Sequence, residues 1–456
     1  MNLFLIITFL GVAYAALNLN HHHMWLDAVE PFSLQDPENW YWFTQKLDHF
    51  NIQEQHTWKQ RYCTYKSPVF KNGQPIFIYI SGEARMRDNT CNTGYHITLA
   101  DRFKGAAFAL EHRFYGESYP IADLTVKSLS YLTSKQALYD LAAFTTHWKE
   151  KYPDSPFIIV GGSYSGVLAS VSRLMFPHLY IGAWASSGPN LAKENFFEYD
   201  RVVGESLGVG CRMDVHLAMT KIEQMLDQPS TRKQIKRYFK CENVTNDVEF
   251  LYVLADAVSF AVQYNYIGHL CNRMKQDDPV YGLSLFTEWL FDFLQTDPVS
   301  WTMSSHTSTK KDVNDGTRQW IHQSCQEFGY WQVADPKDPL RSKKIDIKFH
   351  RDLCKQLYGY DFVPNTSETN MAYGALDFAG TNVAFSNGGL DPWKSLSLTS
   401  LSSKQKQRGC TSVVIKGSAH CADLHAPSSK DSDDLRDARE FMTNRVVEWL
   451  KDFYMN

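Results

Sequence analysis

Phe157-Ile158-Ile159-Val160-Gly161-Gly162-Ser163-Tyr164-Ser165-Gly166 is the stretch whose reading decides the fold. Its first four residues are apolar and largely β-branched, as in a strand buried on both faces. A Gly-Gly-Ser-Tyr-Ser-Gly turn follows, and Val167 to Met175 reads as a helix. Strand, sharp turn and helix with a central serine make a nucleophile elbow. Small residues are needed there because the serine takes a strained backbone conformation and the turn passes close to its neighbours. With Ser163 as nucleophile, Gly161 fills the first glycine of G-x-S-x-G. Ser165 stands where the last glycine belongs, and Gly166 follows it. Ser165 is the weaker nucleophile candidate, since Ser163 rather than glycine lies two residues before it. The bland alternative is a glycine-rich turn with no chemistry.

Working outward, Pro75 to Ile80 and Ala106 to Leu110 read as strands, and Leu132 to Trp148 as a helix capped by Thr133. Ile181 to Ser186 is the strand after the elbow helix. Strands alternating with helices predict a mostly parallel sheet covered on both faces, an α/β class. The alternation stops near Pro189. From Leu191 to Tyr373 the pattern is helical, clearest over Val215 to Met225 and Val248 to Val262, with Phe286 to Phe293 shorter. Strands return at Asn382 to Ser386 and Ser412 to Ile415. The chain closes in an amphipathic helix carrying Leu435, Ala438, Met442, Val446, Trp449, Leu450 and Phe453 on one face.

The 456 residues are 44% hydrophobic and 14% aromatic, with a net charge of −4. That describes a large globular protein and gives no basis for a nucleic-acid or anionic-membrane partner. Residues 1–15 read as a signal peptide, with an apolar run from Leu3 to Val12 and an Ala13-Tyr14-Ala15 cleavage site. His21-His22-His23 reads as a polar terminus. Gln45 to Phe50 is expected just ahead of the first folded region. Export permits disulfides among nine cysteines, an odd count that leaves at least one outside intrachain pairing. Asn243-Val244-Thr245 and Asn365-Thr366-Ser367 are glycosylation sequons.

The chemistry gathers at strand ends. After Val383 to Ser386 comes Asn387-Gly388-Gly389-Leu390-Asp391-Pro392-Trp393. After Val413 to Ile415 comes Lys416-Gly417-Ser418-Ala419-His420. Serine, acid and histidine thus follow one another in the chain order of an α/β-hydrolase. In that arrangement Ser163 attacks a carbonyl, His420 takes and returns the proton, and Asp391 orients the imidazole. The backbone N–H of Tyr164 and one from the Gly82 region, in the Ser81-Gly82-Glu83-Ala84 loop, would form the oxyanion hole. Each such donor contributes about 3 kcal/mol. Cys421 and His425 beside His420 allow a metal reading, but no metal or cofactor is expected.

These residues resemble the S28 serine peptidases, the family of lysosomal Pro-Xaa carboxypeptidase, dipeptidyl peptidase II and thymus-specific serine protease. The resemblance runs from Gln45 to the C-terminus. It rests on Gln45 to Phe50 (QKLDHF), Glu111 to Gly116 (EHRFYG), Tyr131-Leu132-Thr133 with Gln136-Ala137, and Gly161 to Tyr164 (GGSY). It also rests on Arg318-Gln319-Trp320, Cys325 to Gly329 (CQEFG), Asn387 to Trp393 and Gly417 to Cys421 (GSAHC). It implies an α/β-hydrolase domain over 40–190 and 374–456, with a helical cap over 191–373 that admits only a chain end. It also implies Ser163, Asp391 and His420 as the triad, and exopeptidase cleavage beside proline in a secreted or lysosomal setting. The expected substrates are peptides with proline near a terminus, and the leading expectation is a Pro-Xaa carboxypeptidase-like cleavage. A dipeptidyl peptidase, a binding protein that keeps the fold, and an esterase or lipase are the alternatives. A homodimer is compatible. Trp320 and Trp393 are expected mainly in core packing. The Ser-Gly-Glu-Ala loop departs from the Gly-Gly-Glu-Gly-like run common in the family.

Overall fold

The computed structural model describes residues 40–455, so the signal-peptide reading and His21 to His23 lie outside the described residues. Ten strands are described: β1 (Trp40–Lys46), β2 (Thr57–Lys66), β3 (Ile76–Ile80), β4 (Ala106–Leu110), β5 (Phe157–Gly162), β6 (Gly182–Ser186), β7 (Lys193–Asn195), β8 (Gly329–Trp331), β9 (Val383–Gly388) and β10 (Thr411–Ile415). Eight of them form one sheet in the order β1-β2-β4-β3-β5-β6-β9-β10. From β4 to β10 all neighbours are parallel, while β1 with β2 and β2 with β4 are antiparallel. This is the α/β-hydrolase fold.

Alternation along the central strands explains why they read as unbroken apolar runs. Ile76, Ile78 and Ile80 of β3, with Phe157 and Ile159 of β5, pack on one face against Leu138, Leu141 and Phe144 of the helix Ser134–Lys151. Phe77, Ile158 and Val160 pack on the other face against Met442, Val446 and Trp449 of the helix Asp433–Met455. Both faces are covered, so both sets of side chains must be apolar. Thr133 caps its helix as expected, its side chain accepting from the N–H of Gln136.

Between β6 and β9 the described elements are helical apart from the short β7–β8 pair. The helix Asp247–Gln263 is buried from Glu249 to its end, and Asn246 caps it by accepting from the N–H groups of Val248 and Glu249. Two disulfides, Cys211–Cys271 and Cys325–Cys354, staple this part, and Cys63–Cys91 ties β2 to the loop after β3. Cys241, Cys410 and Cys421 are free and buried.

One expectation is overturned. Gln45 does not precede the folded region: β1 already includes Gln45 and Lys46 and pairs along its length with β2. These strands escape a hydrophobic pattern because buried positions in them are polar. Gln60 and Arg61 point inward, where Gln60 accepts from the side-chain amide of Gln45 and Arg61 pairs with Glu111.

Candidate active site

The elbow sits in the middle of the sheet. Ser163 leaves β5 with φ 59° and ψ −132°, a conformation that L-residues rarely adopt, and the helix Tyr164–Met175 starts at the next residue. The turn closes only with small residues. A Cβ on Gly161 would lie 2.1 Å from the carbonyl oxygen of Ser165, and one on Gly166 would lie 2.6 Å from that of Ser186. The imperfect position of the motif has its own bonds: the hydroxyl of Ser165 donates to the carbonyl of Gly162 (2.6 Å) and accepts from its N–H (3.2 Å). Ser165 thus closes the turn from within.

Asp391 and His420, which stand in separate loops, come together. Asp391 follows β9 and is fully buried; one carboxylate oxygen accepts from the N–H of Trp393 (3.0 Å) and the other lies 2.7 Å from His420 Nδ1. His420 follows β10, and its backbone N–H donates to the carbonyl of Gln263 (3.0 Å). Its Nε2 is buried and has no hydrogen-bond partner among the described residues. The elbow touches this loop, since a Cβ on Gly162 would meet Cys421 Sγ at 2.9 Å. Burial presses the imidazole toward neutrality, but the Asp391 carboxylate outweighs it and raises the His420 pKa above the ordinary imidazole range. Burial likewise raises the Cys421 thiol, which keeps it uncharged at neutral pH.

Tyr164 and Gly82 lie on adjacent strands' ends. The parallel pairing of β3 with β5 ends at Tyr79 and Val160, so the loop that holds Gly82 and the turn that holds Ser163 leave neighbouring strands at the same end of the sheet. Neither the Tyr164 N–H nor the Gly82 N–H meets an acceptor among the described residues. Unclaimed amides of this kind can take up charge developing on a carbonyl oxygen held between them. Asn243 and Asn365 are both exposed and lie outside this region.

Several side chains around the elbow have no role assigned from the sequence, although most stand inside its motifs. The Tyr164 hydroxyl accepts from Gln323 Nε2 (3.0 Å) and lies 3.1 Å from His112 Nε2, and its ring meets Trp320 and Phe328 at about 5.5 Å. Glu327, held by the N–H and hydroxyl of Ser134, is pushed up to about 7 by burial. Gln263 links the site to the helical part: its amide oxygen accepts from Trp393 Nε1 (2.9 Å) and from the Tyr199 hydroxyl (2.6 Å), beside its backbone bond to His420. Trp393 is packed as expected, whereas Trp320 also lines a chamber that it shares with Gln263 and Tyr264. The EHRFYG and QKLDHF motifs are structural here. Arg113 forks onto Asp140 with two 2.6 Å bonds, His49 Nε2 lies 2.7 Å from the same carboxylate, and Gln136 donates to Asp48.

Residues 45–442 match the family of serine carboxypeptidase S28. A probable serine protease of Arabidopsis thaliana, EDA2, is 32% identical over 90% of this chain and 88% of its own length. The thymus-specific serine protease of Mus musculus is 29% identical, covering 90% of this chain and 87% of the relative. The lysosomal Pro-X carboxypeptidase of Homo sapiens is 29% identical, covering 91% and 88%.

Proposed function

The chain belongs to the serine carboxypeptidase S28 family and is a serine-type peptidase; from that premise we propose that it is an exopeptidase cutting beside proline through an acyl-enzyme on Ser163. The observation that carries the reading is the Asp391–His420 pair, 2.7 Å apart, on a loop whose Cys421 packs against Gly162 of the elbow. In this mechanism His420 Nε2 takes the proton of Ser163 as its oxygen attacks the scissile carbonyl. The N–H groups of Tyr164 and Gly82 receive the oxyanion. The proton passes to the departing amine, and water repeats the cycle to free the acyl group.

Residues 191–373 act as the cap that limits access to a chain end. Three disulfides fit a protein of the secretory pathway. Glycans at the exposed Asn243 and Asn365 and release to the lysosome or the exterior complete the proposal. Among the described residues, no helix is long and apolar enough to cross a membrane.

A fluorophosphonate probe on purified protein tests the mechanism: mass spectrometry is expected to find the adduct on Ser163. Folded protein that takes no label, or that hydrolyses simple esters and no proline peptide, would defeat the proposal.

A further inference from the structure

The backbone N–H of Tyr164 serves as an oxyanion donor only if it points where the oxyanion forms. The side chain of the same residue is where the protein can set that direction. The ring is buried, and its hydroxyl is held from two sides. His112 Nδ1 lies 2.8 Å from the carbonyl of Arg113, which can only accept, so Nδ1 carries the ring proton. Burial lowers the His112 pKa to about 4, so the ring is neutral and its Nε2 accepts from the Tyr164 hydroxyl. The phenol oxygen in turn accepts from Gln323 Nε2 at 3.0 Å. Gln323 is fully buried, and its amide oxygen accepts from the Tyr115 hydroxyl at 2.7 Å.

Gln323 is fixed by Glu327, a motif residue to which the triad gives no task. The helix Thr317–Gln323 runs on into a wider π-helical turn, Ser324–Phe328, which carries Glu327 four residues after Gln323. The Gln323 side chain also donates to the Glu327 carboxyl, so that its amide nitrogen has one N–H for each partner. The same carboxyl accepts from the N–H of Ser134 (3.0 Å) and from its hydroxyl (2.7 Å), in the first turn of the helix Ser134–Lys151. The Ser134 hydroxyl lies 2.7 Å from that of Tyr373. This bridge holds in both protonation states of Glu327, whose pKa burial pushes up to about 7. Ionised, the carboxyl accepts from Ser134 and Gln323 together. Protonated, it donates to the Ser134 hydroxyl, which turns to donate to Tyr373. The titratable groups that face it, Tyr164, Tyr330 and Tyr373, are phenols that burial keeps neutral.

We infer that Glu327 is a positioning residue for the reaction: through Gln323 it fixes the Tyr164 hydroxyl, and thereby aims the backbone N–H that receives the oxyanion. The inference rests on the reading of Ser163 as nucleophile and of the Tyr164 N–H as oxyanion donor, and it adds to that site a residue from between β6 and β9. Glu327 belongs to the helical part and Ser134 to a helix packed on the sheet, so the oxyanion donor is set from both parts of the chain.

The rate constant for fluorophosphonate labelling of Ser163 reads this positioning whatever the peptide preference, because the phosphonyl oxygen takes the place of the oxyanion. In Glu327→Leu it is expected to fall about tenfold, while the same fraction of protein is labelled at completion. Tyr164→Phe removes the hydroxyl and is expected to slow labelling by a similar factor. The double variant is expected to be no slower than either single one, because both changes break one chain of contacts. Glu327→Gln is expected to recover most of the rate, since its amide still accepts from the Ser134 N–H and from Gln323 and donates to the Ser134 hydroxyl. A merely structural Glu327 would lower the labelled fraction or the Tm and leave the rate constant of the folded protein unchanged. That result, or a double variant slowed about a hundredfold, overturns the inference alone. Should Glu327→Leu not fold, Gln323→Met cuts the same chain at its middle and takes its place in the cycle. Wild-type protein that takes no label overturns the underlying mechanism as well.

Discussion

At the scale of single residues, Ser163 and Ser165 have opposite roles that the motif alone leaves entangled. Ser165 spends its hydroxyl on Gly162 within the turn, while Ser163 stands in the strained conformation that opens the helix. Ser163→Ala is therefore expected to abolish fluorophosphonate labelling and to lower kcat by about 10⁴-fold or more. Ser165→Gly is expected to keep the label and lose stability, read as a lower Tm. Labelling that follows Ser165 instead would reverse the assignment. If His420 is the base, as proposed, it sets the pH dependence: its neutral form takes the proton, and the Asp391 carboxylate raises its pKa. As pH falls through that raised value the imidazole is protonated and the base is lost. The log of kcat/KM is thus expected to fall with unit slope on the acid side of a midpoint above about 6.5, and to rise toward neutral and alkaline pH. An optimum near pH 5 would show that burial dominates the histidine and that an acidic compartment suits the enzyme.

At the scale of elements, what could be read from the chain was whatever follows one period of hydrophobicity. The runs PIFIYI, AAFAL and FIIV are strands because both faces of the central sheet are covered, and Thr133 caps its helix because its side chain meets the right N–H. β1 and β2 were not legible, since Gln60 and Arg61 occupy inward positions that look solvent-facing in a sequence. Their partners come from distant segments, Gln45 and Glu111, which no local pattern reveals. The same applies to EHRFYG and QKLDHF, recognisable as motifs without a visible purpose. Their purpose is a buried clamp in which Arg113, Asp140 and His49 join the β1 end, the loop after β4 and the helix Ser134–Lys151. Asp140→Asn would leave the Arg113 guanidinium buried without its carboxylate, and is expected to lower stability by about 3–5 kcal/mol in urea unfolding. A loss under about 1 kcal/mol would mean that water or the neighbouring carbonyls of Leu47 and Tyr131 suffice for the charge.

At the scale of the whole molecule, the order of serine, acid and histidine was legible because each stands where a parallel strand ends. The chamber was not, because its walls come from both parts of the chain: Glu83 from the sheet's own loop, and Asp256, Gln263 and Trp320 from helices between β6 and β9. Cysteine pairing was equally hidden, since spacing does not select three bonds among nine thiols. This two-part construction carries a consequence for what the enzyme can cut. If residues 191–373 roof the elbow, a scissile bond reaches Ser163 only when one end of the peptide fits wholly within the enclosed side. A long peptide with internal prolines and both ends blocked is then expected to survive incubation, while the same peptide with one free end is shortened by a small fragment. Mass spectrometry over a time course checks this, and the kinetic form matters as much as the products. Trimming gives a ladder that starts at one terminus, whereas an open groove gives internal fragments from the first time point. Internal fragments would mean that the helices move aside during turnover, and the cap would be a gate rather than a wall.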